Sequence, residues 1–118
     1  MLDKKILNEI HTIVDELYPA KQMLKKYKNE PDAPIGLLMS LTTRVKIYDN
    51  VQELIRRYKK GQDYTALLNR IFHQLKLHRY QVRKLSHMKP SVECKNVHRF
   101  CVALVSLLHI VFRKKIPD

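Results

Sequence analysis

The chain has 118 residues, enough to bury one hydrophobic core and too few for two ordinary ones. Apolar residues make up 45% of it, with only two glycines and five prolines, which argues against disorder and against a turn-rich all-β fold. The formal charge of +12 is uneven: residues 1–63 hold 12 Lys and Arg against 9 Asp and Glu, whereas residues 64–118 hold 11 against 2. That self-repulsion has a natural complement in an anionic partner, whether nucleic acid, anionic lipid or an acidic protein surface.

The first predicted helix runs from about Asp3, a fair N-cap, to Lys28. Ile6, Ile10, Ile13, Leu17, Leu24 and Tyr27 form its apolar stripe. Pro19 lies inside the pattern, lacks a backbone donor and crowds the preceding turn, so a kink or break is expected near Leu17–Tyr18. A turn follows over Asn29–Ala33. Asp32 is then expected to cap a second helix, with Pro34 in its first turn and its end near Lys60. The stripe here reads Leu38, Leu41, Val45, Tyr48, Val51, Leu54/Ile55 and Tyr58. Arg56, Arg57, Lys59 and Lys60 suit the negative end of the helix dipole, and Gly61 is a natural stop.

Asp63 opens the third predicted helix, which extends to Lys89. One side carries Leu67, Leu68, Ile71, Leu75, Val82 and Leu85; the other carries His73, Lys76, Arg79, Arg83, Lys84 and His87, with Tyr80 among them. No acid follows Asp63 in this stretch. A turn over Met88–Ser91 leads to a fourth helix from about Val92 to Lys115, with Val97, Phe100, Leu104, Leu107, Leu108 and Val111 inward. Its run Cys101–Phe112 is the longest uncharged apolar stretch. At twelve residues it falls short of the roughly 20 needed to cross a bilayer. Four apolar stripes joined by short loops predict an all-α, antiparallel four-helix bundle spanning residues 1–118 as one domain, with five helices if Pro19 breaks the first.

The acid-free cationic stripe is the sharpest candidate site. A solvated helix normally mixes signs to gain i,i+4 pairs, and this one repels itself instead. Lys76, Arg79, Arg83 and Lys84 are expected to hold phosphates, Tyr80 to stack on a base, and Lys89, Lys95 and Arg99 to extend the patch. A helix-turn-helix within Ile71–Leu85 is disfavoured, because Phe72 and Lys76 stand where that motif wants a small residue and a glycine. Phosphate contact rather than base-edge reading is therefore expected. The alternative is an adaptor that docks an acidic protein or self-associates through Tyr64, Phe72 and Leu77, which stand off the core stripe. Membrane attachment is disfavoured, because the core already uses the apolar faces.

Cys94, His98 and Cys101 share one face of the last helix and are zinc-ligand types, but no Cys-x₂-Cys turn accompanies them. Neither metal nor cofactor is expected. Glu-x-x-His pairs, a Gly-rich phosphate loop and a Gly-x-Ser-x-Gly elbow are absent, so no enzymatic activity is expected. Cys94 and Cys101 would sit about 10 Å apart along a helix, too far for a mutual disulfide. With no apolar run behind the lysines of MLDKKIL, that points to an intracellular protein, cytoplasmic or nuclear.

Overall fold

A computed structural model describes residues 4–86 and 93–115, without the side chains of residues 6, 7, 85, 86, 93–96 and 111–115. Among the described residues all regular structure is helical: α1 (Lys4–Leu17), α2 (Pro19–Lys28), α3 (Ile35–Lys59), α4 (Thr65–Ser86) and α5 (Glu93–Lys115). The predicted Met88–Ser91 turn lies outside the described residues.

Pro19 divides the first predicted helix in two, as its missing donor requires. The backbone hydrogen bonding continues across the break: Tyr18 keeps helical angles, its amide still reaches the Val14 carbonyl at 3.1 Å, and its carbonyl accepts from Lys21 at 2.9 Å. The Tyr18 ring meets Tyr48 of α3 edge-on at 5.9 Å, and Lys21 adds an ion pair to Asp49 at 3.4 Å. These contacts set α2 against α3.

The start of α3 differs from expectation. Pro34 is the residue before the helix rather than part of its first turn; it is extended, and no side chain caps the helix there. With Pro34 itself extended, at ψ 138°, the helix does not run back through it to Asp32. The end of α3 follows the sequence closely. Gly61 adopts φ +68°, its amide reaches the Tyr58 carbonyl at 3.3 Å, and the Gln62 amide reaches Arg57 at 2.9 Å. This pair of reversed bonds satisfies two terminal carbonyls and requires the left-handed conformation that glycine tolerates best. Two residues later the Asp63 carboxylate accepts from both the amide and the hydroxyl of Thr65, at 3.0 and 2.8 Å, and α4 begins.

This tight corner folds α4 back along α3. Tyr58 meets Tyr64 at 5.8 Å, Asn50 donates to Gln74 at 2.8 Å, and Arg44 donates to His78 at 3.0 Å. Contacts that climb one helix while descending the other mark the pair as antiparallel. Elsewhere α1 packs on α5 and α2 on α3.

The core joins Ile10, Val14 and Leu17 of α1 to Ile47, Val51 and Leu54 of α3, Leu67, Leu68 and Ile71 of α4, and Phe100, Leu104 and Leu107 of α5. Most of these are stripe positions in the sequence. In the first half of α3 the stripe is rotated: Leu38 and Val45 are half-buried, while Leu37, Ser40, Thr43, Arg44 and Ile47 are buried. Tyr64 departs from expectation in the same way. It is only 8% exposed and packs against Tyr58 in the core, so it contributes no surface for a partner.

Candidate functional site

The outward face of α4 is set by the corner that precedes it. Once Leu67, Leu68, Ile71 and His78 face the core, the helical period turns Arg70, Phe72, His73, Lys76, Leu77, Arg79, Tyr80, Arg83 and Lys84 to solvent, and all of these are exposed. No carboxylate occurs on α4. Phe72, Lys76, Arg79 and Arg83 recur at intervals of four, three and four, along roughly 17 Å of helix at 1.5 Å per residue. Tyr80 and Lys84 lie beside this row, with the Lys84 ammonium 4.8 Å from the centre of the Tyr80 ring. A cation so placed is attracted by the ring's quadrupole. It also sets a positive charge directly against an exposed aromatic ring. Three apolar or aromatic side chains are exposed between the cations: Phe72 at 41%, Leu77 at 50% and Tyr80 at 58%.

The acids of the neighbouring α3 do little to offset this charge. Asp49 is engaged by Lys21, and Glu53 binds both Arg56 and Arg57. Hydrogen bonds from those two guanidinium groups hold the Glu53 carboxyl down at about 2, so it stays ionised and occupied within its own helix.

The other sequence candidates separate. Arg99 is exposed on α5 and borders clefts shared with Glu16 of α1, which groups it with the α1–α5 side. Lys89 lies outside the described residues, as do the side chains of Lys95 and Cys94. His98 is exposed and Cys101 half-buried, and the described residues hold no group of three or more metal-ligating side chains. Burial raises the Cys101 thiol, and the charges of Arg44 and Arg79 offset this only in part, so the sulfur is held as a neutral thiol rather than a nucleophilic thiolate.

Sequence reasoning missed one feature: a cation inside the molecule. Arg44 and His78 are each 1% exposed, among Ser40, Thr43 and Phe100. Arg44 Nε donates to His78 Nε2 at 3.0 Å, so that nitrogen carries the lone pair and the ring's proton resides on Nδ1. Burial, with the Arg44 charge added, lowers His78 to about 4. It is therefore neutral at physiological pH and adds nothing to the positive face. Nothing in the sequence marked Arg44 as internal: its heptad spacing from Leu37 and Val51 gains meaning only once the fold buries both.

Among the described residues no helix is long and apolar enough to cross a membrane. The chain matches no family model, and no curated protein or solved structure shows significant similarity to it.

Proposed function

We propose that this chain is a non-enzymatic, antiparallel helical bundle that binds nucleic acid through phosphate contacts on the outward face of α4. Lys76, Arg79, Arg83 and Lys84 hold the backbone, and the setting is intracellular. The observation that supports this reading is an exposed row of cations on a helix that bears no acid, beside α3 carboxylates that already have partners. Each cation that neutralises a phosphate releases counterions, so affinity should fall steeply with salt. A polarisation titration against labelled DNA and RNA at several salt concentrations tests it. The Arg79→Ala/Arg83→Ala variant should bind more weakly and lower the slope of log affinity against log salt by about 0.7 to 0.9 for every phosphate it no longer neutralises. Binding that stays flat with salt, or is absent, ends the proposal.

A second reading has its own support. Phe72 and Leu77 are exposed where a purely electrostatic face needs no apolar groups, which suits docking to an acidic protein or to a second copy. Under that reading Phe72→Ala weakens partner binding more than Arg83→Ala does. The reverse ranking favours phosphate.

A further inference from the structure

The α4 face carries more than charge, and the extra chemistry bears on which form of nucleic acid it takes. Phe72, Lys76 and Tyr80 occupy i, i+4 and i+8, so two exposed rings stand roughly 12 Å apart along the helix with a cation between them. Arg79 and Arg83 flank the same line, and Lys84 lies over the second ring. Aromatic and cationic side chains thus alternate along one face.

We propose that this face selects single-stranded nucleic acid, with phosphates on Lys76, Arg79 and Arg83 and unpaired bases stacked on Phe72 and Tyr80. The inference rests on the phosphate-binding reading and narrows it. In a duplex the faces of the bases are buried in the helical stack, and only their edges reach the grooves. A helix meeting duplex phosphates therefore gains from its cations and makes no use of the Phe72 ring or of the side of the Tyr80 ring that Lys84 leaves open. A single strand offers both chemistries in alternation: backbone charge for the cations, and π faces for the rings. Stacking of this kind tolerates any base, which fits a face whose described residues include no Asp or Glu and whose long side chains are mostly Lys and Arg. Duplex phosphate contact has no role for the rings interleaved with the cations, while the single-strand reading uses both.

The experiment is a polarisation competition at one fixed salt concentration. It compares a twelve-nucleotide oligo-dT, a duplex of the same length, and an abasic twelve-unit backbone that has the phosphates without the bases. It uses the full chain, Phe72→Leu, Tyr80→Leu and Lys76→Ala/Arg83→Ala. All these positions are exposed, so the fold is retained, and a circular dichroism melt checks this. The single strand should bind about tenfold more tightly than the duplex despite carrying fewer phosphates. Phe72→Leu and Tyr80→Leu should each weaken single-strand binding at least about fivefold, and leave duplex binding within twofold. Lys76→Ala/Arg83→Ala should weaken both. A duplex or abasic backbone that binds as tightly as the single strand overturns the inference and leaves phosphate recognition standing. Binding of none of the three, with capture of an acidic peptide by the same face, overturns both.

Discussion

The two ends of the α3–α4 pair are held by different physics. Near the corner, Leu54, Ile55, Leu67, Leu68 and Ile71 are buried with Tyr64, and the contacts are apolar or aromatic. Toward the other end, Ser40, Thr43, Arg44 and His78 are buried along with Leu37 and Leu41, and the helices are joined by a hydrogen bond from a guanidinium to an imidazole. Burial of apolar area is non-directional and insensitive to pH. A buried cation against a basic ring holds only while the ring stays neutral. One helix pair thus has an end whose stability follows area alone and an end whose stability follows protonation as well.

The largest expected effect separates the ends directly. Leu54→Ala removes a fully buried side chain near the corner and should cost about 3 kcal/mol at any pH between 5 and 8. Lowering the pH should act at the other end. His78 titrates at about 4 in the folded chain and near 6.5 when unfolded, so between these values the unfolded state holds the extra proton. Its contribution is complete above the unfolded value and is lost as the pH falls toward the folded one, amounting to about 2 kcal/mol by pH 5. Urea unfolding at pH 7.5 and pH 5 reads this out, and His78→Gln should show a smaller difference between the two conditions. Equal pH dependence in both proteins would remove the distinction between the ends.

A smaller effect sharpens the corner side. An added Cβ at Gly61 meets nothing within 4 Å, yet φ is +68°. Gly61→Ala should therefore cost about 1 kcal/mol through backbone conformation alone, and Asp63→Ala a similar amount through removal of the cap. Both should shift the urea midpoint equally at pH 7.5 and pH 5.

The same contrast explains what could be read from the sequence. Pro19, Gly61 and Asp63 act locally, through ring closure, left-handed φ and a capping carboxylate, so their consequences were visible in the chain itself. The apolar positions of α4 and α5 were visible as periodicity. Arg44 was not, because charge argues for the surface and only its neighbours in three dimensions reverse that. The rotated stripe of α3 has the same origin: Ser40 and Thr43 can turn inward because their hydroxyls bond the Leu37 and Met39 carbonyls at 2.9 and 3.1 Å. The start of α3 failed because two signals competed, Asp32 as a cap and Pro34 as a barrier, and the steric one prevailed. At the candidate site the exposure of Lys76, Arg79, Tyr80, Arg83 and Lys84 was legible from period alone, whereas the separation of Arg99 toward α1 required the packing of α5.

The five-residue corner between α3 and α4 also bears on how the chain reaches its shape. Contacts across the pair join residues 6, 24 and 34 apart, in order from the corner outward. Each closure shortens the loop left for the next, so chain entropy is surrendered in small steps. We expect the hairpin to form as a zipper that starts at Gly61. Folding-rate measurements on Leu68→Ala and Leu41→Ala should then give a higher φ-value for the first. Equal values would mean that the polar end forms together with the corner.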